Sequence, residues 1–348
     1  MRLPDVDPDS LNVWLFGPGF GELVIVRAPP GKWLVVDGCG SEEDSYAQRT
    51  LDYYGASPSI VLLSHPHKDH AKGLRAVVER ATRDPDTSTW PRLGMVPAPD
   101  TVGAGDSWDA TTALDAGLVE QVVATIYERW RQHPPCRWEL GVGTSEPLGD
   151  ATVRVLSPTD RERDAARDAW LADRSHNYNR AASALLITWR DRRVLLGSDL
   201  EEASGRGWTA AMSQDADLRR HDVYKIAHHG SKNAIGPHVE RPSAPHLRAW
   251  IATPFSKGFK GLPRFDDDQG LDRLLRIEDS IDLTGLPREH ERQSSQLEEH
   301  RRAALRDDPD RDFARPTSGF PDCWVHIRVP GAGVPEVSRG PGSVRVRE

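Results

Sequence analysis

The apolar run Ile60–Leu63 empties directly into Ser64-His65-Pro66-His67-Lys68-Asp69-His70. A short continuous apolar run bounded by polar residues reads as a strand buried on both faces. The loop that leaves it carries four metal-binding side chains, His65, His67, Asp69 and His70, within six residues. The fold must therefore bring a rigid strand end to a polar pocket, a common position for functional residues. Imidazole and carboxylate ligands at about 2.0 to 2.2 Å have to converge from several directions, and a tight loop can aim His65 and His67 at one ion and Asp69 and His70 at a second. Two divalent ions roughly 3.5 to 4 Å apart would activate a bridging water as hydroxide at neutral pH. Such a pair still requires a bridging carboxylate.

The strand-then-polar-loop arrangement recurs downstream. Val194–Leu196 runs into Gly197-Ser198-Asp199, which makes Asp199 the natural bridge. An Asp after a strand is more commonly a turn or helix cap, and it is the histidine cluster that favours the ligand role. Val223–Ala227 runs into His228-His229-Gly230-Ser231, and Trp250–Thr253 into Pro254-Phe255-Ser256-Lys257. Paired histidines usually pack or sit at the surface, but in this context at least one of the two is expected to be a ligand.

Upstream, strands are expected at Val13–Phe16, Leu23–Arg27 and Trp33–Val36, around a bend with Gly17, Gly19 and Gly21 and the turn Pro29-Pro30-Gly31. The glycines lack the GxGxxG spacing and a following helix, so they read as a turn rather than a nucleotide loop. Residues 72–83 look helical, 84–110 read as an extended loop, and a helix is expected at about 111–131. Further on come a strand at Val153–Leu156, an amphipathic helix over 160–173 and paired strands Ser183–Trp189 and Val194–Leu196. Residues 264–312 are highly charged and partly helical, with Glu289–Arg306 a solvated helix or mobile segment, and short strands close the chain at Trp324–Val329 and Ser343–Val346.

Composition excludes some classes. With 348 residues, 45 basic and 53 acidic side chains and a net charge of -8, the chain has no broad electropositive footprint for duplex nucleic acid. No apolar run approaches the roughly 18 residues of a membrane helix, and an acidic, proline-bearing start is no secretory signal, so a soluble cytoplasmic protein with no membrane partner is expected. Cys39, Cys136 and Cys323 are odd in number and lack CxxC spacing, which predicts buried free thiols. Most of the 11 Trp are expected in the core or at sheet edges.

The segments Leu34-Val35-Val36-Asp37-Gly38, Ser64 to His70, Gly197-Ser198-Asp199 and Lys225-Ile226-Ala227-His228-His229-Gly230-Ser231 resemble the ordered motifs of metallo-β-lactamase-fold hydrolases. The His-His-Gly-Ser variant and the opening segment Phe16 to Glu22 are similar to the subgroup containing the hydrolase domain of the ComEC competence proteins. The resemblance spans about residues 11 to 262. It implies an α+β fold, an αββα sandwich whose core, residues 1–263, carries an insertion at about 84–135. A charged helical segment with closing strands, 264–348, would pack on the same domain.

It further implies two divalent ions, zinc with manganese as the alternative, and hydrolysis usually of a phosphodiester. His65 and His67 would hold the first ion, Asp69 and His70 the second, and Asp199 would bridge. His229, or His228 if the turn rotates, would complete the second site, and Asp37 would orient a ligand. Two departures from the pattern matter. Asn179 stands where many relatives have a third histidine, with His176 nearby but out of register. The loop after Trp250–Thr253 lacks the subgroup's late histidine and offers Lys257 and Lys260, candidate phosphate contacts together with Asn179 and Ser231. A nuclease or phosphodiesterase is the leading expectation, followed by a hydrolase of a lactone, thioester or small ester, and then a non-catalytic metal-binding module.

Overall fold

Side chains along Leu11–Phe16 alternate between two destinations. Leu11, Val13 and Leu15 enter one apolar layer while Trp14 and Phe16 enter another, as the two-residue period of a strand requires. Such a strand needs cover on both faces. The computed structural model describes residues 3–17, 21–84, 86–96, 117–172, 176–240, 248–257, 260–264, 270–285 and 323–347.

Among these residues the first half of the chain forms strands β1 (Leu11–Phe16), β2 (Glu22–Ala28), β3 (Lys32–Gly38), β4 (Ile60–Leu63), β5 (Arg92–Met95), β6 (Arg137–Trp138), β7 (Ser145–Leu148) and β8 (Ala151–Val155). The second half forms β9 (Leu185–Trp189), β10 (Arg192–Leu196), β11 (Val223–Lys225), β12 (Ala249–Ala252), β13 (Phe255–Lys257), β14 (Lys260–Leu262), β15 (Ser280–Leu283), β16 (Trp324–Val329), β17 (Glu336–Arg339) and β18 (Val344–Arg347). Helices are α1 (Tyr46–Tyr53), α2 (Lys68–Ala71), α3 (Leu74–Ala81), α4 (Leu118–Gln132), α5 (Asp160–Leu171), α6 (Trp208–Gln214) and α7 (Leu271–Leu275).

The strands build two eight-stranded sheets, in the orders β17-β16-β1-β2-β3-β4-β5-β6 and β18-β15-β12-β11-β10-β9-β8-β7. Three apolar layers cement them. Val13, Leu15, Val24 and Val36 of the first sheet meet Val153, Ile187, Val194 and Ile251 of the second between the sheets. Trp14, Ile25, Val61 and Leu63 pack outward on Leu51, Val77, Val122 and Ile126 of α1, α3 and α4. Leu195, Tyr224, Ile226 and Trp250 pack on Trp208, Leu271 and Leu274 of α6 and α7. Helix, sheet, sheet, helix is the αββα sandwich that the motif resemblance implied.

Local signals explain the helices. Val119, Val122, Val123, Ile126 and Trp130 are buried along one stripe of α4, the spacing of a helix lying on a sheet. In α5, Thr159 and Glu162 form a reciprocal capping box. The three cysteines are buried and free. Trp14, Trp33, Trp130, Trp138, Trp189, Trp208, Trp250 and Trp324 are buried.

Two expectations need correction, and a third falls outside the described residues. The stretch expected to be an extended loop contains β5, which pairs in parallel with β4; Pro, Asp and Thr flanking a four-residue strand masked it. The polar loop after β12 is in part the hairpin β13–β14, closed by the pairing of Lys257 with Lys260. Glu289–Arg306 lies outside the described residues.

Parallel pairing sets the position of the site. β3 runs parallel to β4, and β10, β11 and β12 run parallel to one another. Their carboxyl ends, where crevices of open α/β sheets lie, therefore carry Asp37, the His65–His70 loop, Asp199, the His228-His229 turn and Thr253.

Candidate metal centre

His65 and His70 are fully buried, Asp199 and His229 nearly so, and Asp69 is 8% exposed. Burying this much polarity is costly unless each group is partnered. The partners are on the far side of each ring. His70 Nδ1 lies 2.7 Å from Asp37 Oδ2, and His229 Nδ1 lies 2.9 Å from the Thr253 carbonyl. Both Nε2 atoms therefore point inward, where His70 Nε2, His229 Nε2 and Asp199 Oδ1 have no hydrogen-bond partner. Asp199 Oδ1 is 3.5 Å from His70 Nε2 and 3.6 Å from His229 Nε2. Asp69 Oδ2 is 3.7 and 3.4 Å from the same two nitrogens. Each carboxylate thus faces both ring nitrogens.

The other oxygen of Asp199, Oδ2, faces His65 Nε2 at 3.9 Å. His65 Nε2 and His67 Nδ1 face each other at 2.9 Å, and Ser64 Oγ stands 3.1 Å behind His65 Nδ1. His65, His67 and Asp199 form one group of convergent ligand atoms, and Glu22, His70, Asp199 and His229 another. Asp199 belongs to both. Orphaned buried lone pairs on nitrogen and oxygen, with a shared carboxylate, are the donor set that divalent ions take.

Backbone geometry aims these groups. Asp37, Ser198, His228 and His229 have φ of 61, 43, 47 and 52°, a left-handed conformation that costs non-glycine residues of order 1–3 kcal/mol each and concentrates at functional sites. Gly38 is needed for contact: a Cβ there would lie 2.2 Å from the Lys72 carbonyl, which closes the ligand loop against β3. The Asp37 carboxylate accepts from Ser64 N and Ser64 Oγ, each at 2.7 Å. Ser198 Oγ in turn donates to Ser64 Oγ at 2.6 Å, tying the two sheets together.

Electrostatics divide the cluster. Burial works against a charged His70, but Asp199, Asp37 and Asp69 hold its pKa well above the ordinary value. Burial likewise works against His229, and Asp199 and Asp69 raise it. Burial would push Asp199 up, yet His229 and His70 pull it well below the usual carboxylate range. His65 and His67 are pushed down by burial, with His70 adding to the push.

Not every expected residue joins the cluster. His228 turns away: its Nε2 accepts from Asn179 Nδ2 at 3.1 Å and its Nδ1 is 3.5 Å from Glu201 Oε1. Two consecutive left-handed residues send the two rings in different directions. His176 packs edge-on to Tyr178, whose ring meets His67 at 6.4 Å. Ser231 donates its backbone N–H to the His228 carbonyl and closes the turn. The side chains of Lys257 and Lys260 lie outside the described residues; Phe255, on their hairpin, stacks on His229 with centroids 5.1 Å apart.

Sequence reasoning missed Glu22, Lys225, Ser64, Ser198, Thr253 and Glu201 as parts of this site. A signal existed for two of them, since Glu22 and Lys225 are charged residues directly adjoining apolar runs.

No family model matches the chain, nor does any curated protein. Among solved structures, the chain is similar to CmlA, a diiron β-hydroxylase from Streptomyces venezuelae, at 18% identity over 64% of this chain and 35% of that one, TM-score 0.35. It is similar to the metallo-β-lactamase fold protein YhfI from Bacillus subtilis at 14% identity over 61% and 69% of the two chains, TM-score 0.31. It is also similar to the metallo-β-lactamase SMB-1, at 16% identity over 62% and 76%, TM-score 0.33. The chain spans about a third of the length of the CmlA hydroxylases, 37% and 35%. Among the described residues no helix is long and apolar enough to cross a membrane.

Proposed function

We propose that this protein is a metal-dependent hydrolase of the metallo-β-lactamase fold, acting on a phosphodiester as a phosphodiesterase or nuclease in the cytoplasm. The observation that carries the metal reading is the pair of ligand groups sharing Asp199, with three buried ligand atoms left unpartnered. His65, His67 and Asp199 would hold one ion and Asp69, His70, Asp199 and His229 the other, zinc or alternatively manganese. Bound there, two divalent ions would polarise the scissile phosphoryl group and bring the pKa of a water near neutrality.

The chain's own residues prepare the rest. Asp37 fixes the His70 ring through Nδ1 and so leaves the Nε2 lone pair free. Asn179 is 7% exposed with its Oδ1 unpartnered, and beside His228 it offers a hydrogen-bonding rim for a substrate oxygen. Lys257 and Lys260 would meet the phosphate as mobile point charges. The phosphodiester preference rests on these lysines and on the motif likeness to the ComEC-like hydrolase subgroup.

A second reading, hydrolysis of a neutral ester, lactone or thioester, draws on Glu201, whose carboxylate beside His228 would repel a phosphate. One panel separates the two. The protein loaded with Zn²⁺ or Mn²⁺ is offered single-stranded DNA, RNA, cyclic dinucleotides, a chromogenic phosphodiester, a lactone and a thioester. Metal-dependent cleavage of a phosphodiester is expected. Turnover of the neutral substrates alone would transfer the assignment to the second reading.

A further inference from the structure

Glu22 and Lys225 are both fully buried, and Lys225 Nζ lies 2.5 Å from Glu22 Oε1. Removing two charges from water costs several kcal/mol per ion, and an apolar pair of similar volume is often as stable. A stability role therefore does not explain the pair, whereas its neighbours suggest another. Lys225 Nζ also donates to the Ser198 carbonyl at 2.8 Å, which accepts the His228 N–H at 2.8 Å as well. Two donors on one carbonyl clamp the left-handed residue that directly precedes Asp199. On the other side, Glu22 Oε2 accepts from the Thr253 hydroxyl and lies 3.5 Å from His229 Nδ1. The Thr253 carbonyl takes the His229 Nδ1–H. Glu22 opens β2 in one sheet, while Lys225 closes β11 in the other.

We propose that Glu22 and Lys225 form a positioning pair spanning both sheets, which sets the His229 tautomer and the Asp199 turn. The carboxylate favours the proton on Nδ1 and so leaves Nε2 as a lone pair facing Asp69 and Asp199. The ammonium neutralises that carboxylate, which keeps Glu22 from competing as a ligand, and anchors the Ser198 carbonyl. Carboxylates behind a ligating histidine act this way on ring orientation and basicity. This inference rests on His229 and Asp199 being metal ligands, as proposed above.

The test uses the full chain and the variants Glu22→Gln and Thr253→Val, with Lys225→Met as a third. Ring ¹⁵N shifts of His229 in the metal-free protein at pH 9 report the tautomer, and competition with a chromogenic chelator reports Zn²⁺ affinity. Folded Glu22→Gln is expected to show a mixture of His229 tautomers and roughly 10- to 100-fold weaker binding of one Zn²⁺. Thr253→Val should show a smaller shift in the same direction, and it carries the test if Glu22→Gln does not fold. A wild-type tautomer in whichever of these variants folds would overturn the proposal. If wild type takes up no Zn²⁺ while Glu22→Gln still changes the tautomer, the positioning role stands and the metal reading fails.

Discussion

The two halves of the candidate metal centre are built differently. Around His70 and His229 every ring is backed: Asp37 stands behind one and the Thr253 carbonyl, with Glu22 beyond it, behind the other. Around His65 and His67 the backing is a serine hydroxyl for one ring, and the two rings meet each other at 2.9 Å. Asn179, where a third histidine would complete the set, hydrogen-bonds His228 instead. One half is a preorganised, buried pocket. The other has only His67 half-buried and only one ring backed, and it should bind its ion less tightly.

The largest effect expected is at the residue both halves share. Asp199→Ala should lower hydrolysis at least about 10³-fold, about 4 kcal/mol of barrier, and reduce bound metal below two equivalents by elemental analysis. Near wild-type turnover with both ions present would reduce Asp199 to a turn residue. Next comes the support of the buried half. Asp37→Ala removes three hydrogen bonds and should weaken one ion roughly 10- to 100-fold, whereas Asn179→Ala, on the rim, should leave metal affinity unchanged and raise KM. Equal metal affinities in the two variants, measured by chelator competition, would erase the asymmetry.

Proton release should distinguish the halves too. In the metal-free protein His70 and His229 are held above the ordinary histidine pKa of 6.5 by Asp199 and its neighbours, despite burial. A proton held on either ring must leave before an ion binds. His65 and His67, lowered by burial, carry none to lose. Metal-free, the raised His70 contributes stability that is full below 6.5 and is lost as pH rises through its folded value. Calorimetric Zn²⁺ titration in two buffers of different ionisation enthalpy should show proton release for the tighter ion only, with that affinity rising with pH. Equal release from both ions would contradict this division.

The smallest effect concerns the hairpin beside His229. Substituting both Lys257 and Lys260 by alanine should lower kcat/KM for a phosphodiester about 10-fold, about 1.4 kcal/mol, with metal content and the rate on a neutral ester unchanged. Wild-type rates on every substrate would leave this hairpin a solvated surface.

Much of the fold was legible because its strands are short apolar runs that end in polar loops. β1 to β4 and β9 to β12 fall within a few residues of the expected runs. β5 was missed because four residues between prolines and aspartates carry too little periodicity, and β17, with exposed and half-buried residues, offers no apolar run. His65, His67, Asp69 and His70 were legible as a set since one loop carries them all. His228 and His229 were not separable, because identical neighbours differ only in where two left-handed residues aim them.

By itself, then, the sequence determined which chemical groups stand at which strand exits, since a strand and the loop leaving it are contiguous in the chain. Tertiary structure alone decided how those exits meet. The Ser64–Asp37 contacts join residues 27 apart, the Ser198–Ser64 bond residues 134 apart and the Thr253–Glu22 bond residues 231 apart. Contacts at such separations arise from sheet order and the packing of two sheets face to face, and they leave no local period for a sequence to display.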